Sequence, residues 1–332
     1  MICSEFDIIN TYFNYKQQNR NDVNIGIGDD CALINISEKQ QLAITTDTLI
    51  AGIHFFDTIS PEDLAYKSLA VSLSDLAAMG AEPTWISLAL TLPNINEEWL
   101  ERFSFILFKQ LNCYGIQLIG GDTTKGPMSL TYTAHGLIPI GESLTRNGAC
   151  KGDLIYVTGT LGDSAAGLAI LKSHLTVNNP NDRHWLIQRH LRPEPKIAQG
   201  KMLRNIASSA IDISDGLVSD LSHILKISGH GAIIKLNWLP ISSVLSRQVS
   251  LKQALISALN GGEDYELCFT VPNINLSILE SVIINNKEKF YCIGQITKKS
   301  DGIRYFYNDK EISFNLVKFD HFNNNINNIY ND

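Results

Sequence analysis

The chain has 332 residues, 44% of them hydrophobic and 18% charged, which is enough to build two ordinary cores rather than one. A net charge of −7 argues against a general nucleic-acid or membrane-surface role, because both favour basic surfaces. The most apolar long stretch, residues 64–92, is interrupted by Lys67, Asp75 and Glu82, and residues 1–7 lack the basic and apolar regions of a signal peptide, so a cytoplasmic protein that does not cross a membrane is expected.

Taken in chain order, apolar and β-branched runs alternate with helical patterns, which predicts an α/β (α+β) architecture. Residues 42–49 read as a strand. Ser60-Pro61-Glu62-Asp63 is a strong helix start, with a cap, a proline in the first turn and acids beside it. That helix should run to Met79 and stop at Gly80, with Leu69, Leu73 and Leu76 on its buried face. Phe103 and Phe105 fall on a further predicted helix and are candidates for stacking adenine. Residues 116–119 form a strand entering Gly120-Gly121, and residues 130–140 a longer one. The polar, glycine-bearing segment 146–153 reads as a domain boundary. Strands follow at 154–157, 210–213, 232–236, 265–271 and 290–296, with a helix over 217–227. The turn around Gly159 and Gly162 should enter a helix capped by Asp163, and residues 192–196 read as a rigid helix start. The boundaries expected are 1–145 for an N-terminal domain, 146–322 for a C-terminal α/β domain, and 323–332 for a disordered Asn-rich tail. The six cysteines are scattered without a CxxC pair and read as reduced thiols.

The informative feature is where the aspartates sit. They occur at turns and element ends beside glycine or threonine: Asp29-Asp30 after Gly28, Asp47 after Thr45-Thr46, Asp75, Asp122 after Gly121, Asp212, Asp215 before Gly216, and Glu263-Asp264 after Gly262. Each alone is most simply a turn or loop cap. Asp75 is the sharpest, because it falls in the last turn of its helix, where the dipole disfavours an anion unless a cation is present. Several carboxylates brought into one cleft repel unless metals neutralise them. Oxygen ligands without a His/Cys cluster select Mg²⁺, Mn²⁺ or Ca²⁺ over zinc. Mg²⁺ takes few protein carboxylates and completes its shell with water and phosphate, so the set implies several Mg²⁺ ions and a highly anionic ligand such as a nucleoside triphosphate with a second phosphate. No P-loop, DFG triplet or GxSxG elbow accompanies them, and Cys31 breaks a dinucleotide fingerprint begun at Gly26.

The ordered set Gly28-Asp29-Asp30, Thr46-Asp47-Thr48, Gly52-Ile53-His54-Phe55, residues 74–80, Gly120-Gly121-Asp122-Thr123-Thr124, residues 212–217 and residues 262–267 resembles the thiamine-monophosphate kinases along nearly the whole chain. The resemblance implies a two-domain fold of the aminoimidazole-ribonucleotide-synthetase type. Its N-terminal domain would bind ATP and Mg²⁺ and pair across a homodimer into a β-barrel. It implies ATP and thiamine monophosphate as substrates. Asp30, Thr45, Thr46, Asp47, Asp75, Asp122, Asp212 and Asp215 would bind Mg²⁺; Gly121, Asp122, Arg146 and Ser214 would contact ATP; His54, Glu263 and Phe319 would contact thiamine monophosphate. Lys318 stands where the family commonly has glycine, and Cys31 where it has alanine. No side-chain base is expected, since a phosphate monoester is already mostly ionised at neutral pH. Two rival readings are another ATP-dependent enzyme of the superfamily, a ligase or dehydratase, and a non-catalytic nucleotide-binding protein.

Overall fold

The computed structural model describes residues 4–14 and 19–313; Phe319 and the Asn-rich segment 323–332 lie outside the described residues. The chain divides into two compact units, Met1–Leu76 with Ala81–Glu142, and Ala77–Gly80 with Ser143–Asp332. Both are α/β, each built around its own sheet.

The first unit contains α1 (Glu5–Ile8), β1 (Val23–Ile25), β2 (Leu33–Ile34), β3 (Gln40–Ile50), most of α2 (Pro61–Ala78), β4 (Glu82–Leu92), α3 (Glu97–Tyr114), β5 (Gln117–Lys125) and β6 (Ser129–Pro139). Its main sheet runs β3-β6-β4-β5, antiparallel except for the β4–β5 pair. Helix α2 begins as its sequence dictates: Ser60 Oγ accepts the Asp63 N–H at 3.0 Å and donates to the Asp63 carboxylate at 2.8 Å. It ends where the Ala81 N–H closes back onto the Leu76 carbonyl and Gly80 takes a left-handed φ of +67°. Leu64, Leu69, Leu73 and Leu76 are buried along its inner face. On β3 the period of two puts Thr45, Asp47 and Leu49 on one face and Thr46 and Thr48 on the other. The second face is open: Ile44 on it is 59% exposed.

The second unit contains β7 (Leu154–Thr158), α4 (Asp163–Leu171), α5 (Pro180–Leu191), α6 (Ile197–Met202), β8 (Ser209–Asp212), α7 (Leu217–Ser228), β9 (His230–Lys235), α8 (Ser243–Gln248), α9 (Leu251–Asn260), β10 (Leu267–Val271), α10 (Leu276–Asn286), β11 (Phe290–Lys298), β12 (Ile303–Tyr307) and β13 (Lys310–Ile312). The sheet order is β13-β12-β9-β11-β7-β10-β8, with β12–β9 the parallel pair. One face packs Ile211, Ile213, Leu221 and Ile224 with Ala232 and Ile234; another buried cluster centres on Phe269, Leu267 and Val271. Strand β10 starts two residues later than the pattern predicted, because Tyr265 holds φ +51° rather than an extended conformation.

Gly121 is required by its neighbour. It pairs with Leu88 across β4–β5, has φ +147°, and a Cβ there would lie 1.8 Å from the Leu88 carbonyl oxygen. Gly121→Ala is therefore expected to cost roughly 3 kcal/mol or more of stability. Thermal denaturation followed by circular dichroism reads this directly, and an unchanged melting temperature would show that β4 moves aside freely.

Candidate functional site

In the first unit the site is built where β3 meets α2. The Thr45 hydroxyl on β3 donates to the Asp75 carboxylate on α2. Asp47, two residues along the same face, stands close enough to feel the charge of Asp75. Burial, and then that like charge, push Asp47 up to about 6. Its Oδ2 is buried without a well-formed hydrogen bond among the described residues, and the Ser72 hydroxyl, itself buried and unsatisfied, stands near enough to offset part of the rise. An orphaned carboxylate oxygen beside a second carboxylate is costly unless something positive completes it. An all-oxygen donor set of this kind fits a hard divalent cation.

The other residues singled out in this unit are placed differently. Thr46 points to the opposite face of β3, where its Oγ lies 3.1 Å from Thr133 Oγ. Asp122 is exposed on the edge strand β5, opposite Ala89 of β4. Asp30 is exposed in the turn after β1, its N–H bonded to the Asp29 carboxylate at 2.8 Å. His54 is half-buried in the loop after β3, where its Nδ1 accepts the Ile50 N–H at 3.0 Å. That contact makes Nδ1 an acceptor and leaves Nε2 as the ring's donor. Among the described residues no three His, Cys, Asp or Glu side chains assemble a closed metal cage.

In the second unit the two acidic turns form one hydrogen-bonded structure. β10 and β8 pair antiparallel, with Leu267 opposite Asp212. The pairing continues past both strand ends: Ile213 N–H donates to the Glu266 carbonyl at 2.7 Å, Tyr265 N–H to Ile213 at 2.9 Å, and Glu263 N–H to Ser214 at 2.7 Å. Asp212, Ser214, Asp215 and Glu263 are thus held at one end of this sheet. Glu263 and Tyr265 both adopt left-handed φ, +64° and +51°, which lets the segment turn back on itself at a cost of order 1 kcal/mol each. Arg146 is exposed in the segment before β7.

Sequence reasoning passed over Asp220 here, and it named Asp264 and Glu266 without giving either a role. Asp220, buried in the first turn of α7, accepts the Asp215 and Gly216 N–H groups at 3.0 and 3.1 Å. Burial, then the charges of Asp215 and Asp212, push it up to about 8. Its only signal was an acid in the first turn of a helix preceded by glycine. Asp264 takes the role expected of Asp163: its carboxylate accepts the Gly162 and Ser164 N–H groups at 2.6 and 3.2 Å and so caps α4. Asp163 is turned inward instead, accepting from Thr160 and Ser242 hydroxyls at 2.5 and 2.6 Å. Glu266 is buried and bonded to Arg189 at 3.0 Å. Phe103 is a correction of a different kind: it is fully buried, stacked on Trp99 at 4.9 Å, so it belongs to the core and is not available to adenine.

The family model described as AIR synthase related protein, N-terminal domain, matches residues 28–138, and that described as AIR synthase related protein, C-terminal domain, matches residues 151–306. Fold and acidic turns together thus define a two-domain, AIR synthase-like α/β protein. The chain is 57% identical over 322 residues to the thiamine-monophosphate kinase of Escherichia coli strain K12, covering 97% of this chain and 99% of that one. It belongs to the thiamine-monophosphate kinase family. The crystal structure of the thiamine-monophosphate kinase from Stenotrophomonas maltophilia K279a superposes with a TM-score of 0.81 at 40% identity, over 88% of this chain and 93% of that one. A structure of AaThiL complexed with AMPPCP and TMP superposes with a TM-score of 0.73 at 32% identity, over 84% of this chain and 87% of that one.

The Asp47–Asp75 pair has a consequence for stability. A carboxyl whose folded pKa is raised opposes folding when it ionises: the penalty is absent below about pH 4, grows as the pH rises through about 6, and is constant above. Asp47→Asn should therefore be more stable than the parent by on the order of 1–3 kcal/mol in chelator-treated buffer at about pH 7.5, with the difference vanishing toward about pH 4. Thermal melts at the two pH values check this; a destabilised variant at the higher pH would contradict it.

Proposed function

We propose that this protein transfers the γ-phosphoryl group of ATP to thiamine monophosphate, giving thiamine diphosphate and ADP, and so serves thiamine biosynthesis. The observation that carries the reading is the 57% identity over nearly the full length of both chains. It is supported by the solved relative at 32% identity that was complexed with AMPPCP and TMP. It is supported too by the orphaned, repelled carboxylate pair on β3 and α2.

In the proposed reaction an oxygen of the acceptor phosphate attacks the γ-phosphorus directly. A P–O bond forms, the bond to the β–γ bridging oxygen breaks, and its electron pair leaves with ADP. Both reactants are anionic, so positioning and charge neutralisation carry the rate. Bound Mg²⁺ would supply that neutralisation. Asp30, Asp47, Asp75 and Asp122, with Thr45 and Thr46, would hold ions in the first unit, and Asp212 and Asp215 in the second. Thr45, by donating to Asp75, fixes that carboxylate's orientation. Gly121, Asp122, Arg146 and Ser214 would contact ATP. His54, Glu263 and Phe319 would contact thiamine monophosphate, the Glu263 carboxylate complementing its cationic thiazolium. No side chain is assigned as base.

The first unit would carry ATP and Mg²⁺ and pair with a second copy as a homodimer. Support comes from the open face of β3, where Leu42 and Ile44 stand exposed beside Thr46 and Thr48. No helix among the described residues is long and apolar enough to cross a membrane, and we place the enzyme in the cytoplasm.

The purified protein with ATP, Mg²⁺ and thiamine monophosphate should yield thiamine diphosphate, separated by chromatography; folded protein that yields none removes the proposal. Asp75→Asn and Asp122→Asn should each lower kcat by about a hundredfold or more without loss of secondary structure. Near-normal turnover in either variant removes that residue from the site. Trapping of a phosphorylated protein during turnover would contradict direct transfer.

A further inference from the structure

Helix α5 ends against the turn that carries Glu263, and three of its contacts converge there. Arg189 reaches Glu266 at 3.0 Å, Lys196 just beyond the helix lies 3.5 Å from the same carboxylate, and His190 Nδ1 lies 3.2 Å from Glu263 Oε2. His190 is only 3% exposed. Helices α4 and α5 cross closely beside it: a Cβ on Gly167 would fall 2.2 Å from the Leu186 carbonyl and 3.0 Å from His190 Cβ. Ser164 Oγ on α4 lies 3.1 Å from the same Nδ1. A carboxylate accepts and cannot donate, so a hydrogen bond to Glu263 requires the proton on Nδ1, whereas with the proton on Nε2 the same atom would accept from the Ser164 hydroxyl. Glu263 itself sits at φ +64° and keeps its side chain 28% exposed. A glutamate side chain standing out of a strained turn has many rotamers. One buried donor on one carboxylate oxygen narrows the choice among them while the side chain stays partly exposed.

We infer that His190 is a positioning residue for Glu263: held between α4 and α5, it fixes the pose in which the Glu263 carboxylate meets the cationic ring of the acceptor. The inference rests on the substrate role proposed above for Glu263. His190 touches neither reactant. Its contribution is confined to the acceptor side and leaves ATP binding alone. A residue that merely supported the fold would weaken both substrates and the melting temperature together.

The test is steady-state kinetics on the full chain, varying thiamine monophosphate and ATP separately, with melting temperatures alongside. His190→Leu removes the donor and keeps apolar bulk. It should raise KM for thiamine monophosphate by about tenfold, the scale of losing one charge-assisted hydrogen bond, and leave KM for ATP within about twofold. His190→Asn, whose amide N–H sits near the Nδ1 position, should restore KM to within about threefold of the parent. In a Glu263→Ala background, His190→Leu should add less than about twofold, since the acceptor is already lost. Should His190→Leu not fold, His190→Gln takes its place with the same expected loss, because its donor lies at the Nε2 distance instead. If Glu263→Gln raises KM for thiamine monophosphate while the His190 donor-loss variant does not, the inference about His190 is overturned alone. If Glu263→Gln leaves that KM unchanged, the role of Glu263 falls and the inference with it. Equal losses for both substrates, or full additivity in the double variant, would show a structural role only.

Discussion

Two carboxylates held side by side, one with a buried oxygen that lacks a well-formed hydrogen bond, are the central constraint on this structure. Asp47 comes from the middle of an eleven-residue strand and Asp75 from the last turn of an eighteen-residue helix. Neither position favours an anion: burial desolvates the first, and the helix dipole opposes the second. Folding this sequence places them together regardless, because the leucines on the inner face of α2 and the inward residues of β3 fix where the two elements lie. The protein thus spends stability on a local charge arrangement that a bound cation would relieve. The same logic recurs in the second unit, where Asp220 is buried near Asp212 and Asp215 and is pushed far above the ordinary carboxylate range.

The second unit shows how precision is obtained without a large number of site residues. The ladder between β8 and β10 runs on through Ile213, Ser214, Glu263, Tyr265 and Glu266, so the turn bearing Asp215 and the turn bearing Glu263 cannot move independently. Residues forced to positive φ at Glu263 and Tyr265 persist because the surroundings over-determine them. Asp264 ties the same segment to the start of α4, and Arg189 and Lys196 hold Glu266 from α5 and the loop after it. A buried ionic cluster of this sort is a poor source of net stability, since desolvation offsets most of the attraction. Its effect is to leave the backbone one arrangement.

What was legible in the sequence was whatever is encoded locally. The start and stop of α2 and its leucine face follow from caps, glycines and periodicity, and they stand where the pattern put them. Strands β3, β6, β7, β8, β9 and β11 lie near their expected runs, whereas β5 continues through Gly120, Gly121 and Asp122 to Lys125, so that Asp122 sits within a strand, and β4, β12 and β13 carried no signal that was read. The acidic turns were visible because glycine and threonine mark them, and their order along the chain carried the family resemblance. What could not be read depends on partners far away. Asp163 looked like the cap of α4, but the group that caps it, Asp264, lies 100 residues from Ser164. Tyr265 has the side chain of a strand residue and was placed in one, whereas the return of the chain toward Ile213 bends it out. Phe103 and Phe105 were indistinguishable as aromatic residues, yet the helix sends one into the core and leaves the other exposed. Strand alternation by itself places the Thr46 side chain on the other face of β3 from Thr45 and Asp47.

The central claim is that the carboxylates of β3 and α2 await a cation. The most direct measurement is the proton balance when saturating Mg²⁺ is added to the metal-free protein in weakly buffered solution. With Asp47 pushed up to about 6, Mg²⁺ bound here should displace part of a proton from this group near that pH, and the release should fade toward about pH 8 as far as this pair is concerned. Binding of Mg²⁺ near pH 6 with no proton release at all would mean that the ion sits elsewhere, and the account of the paired carboxylates would be wrong.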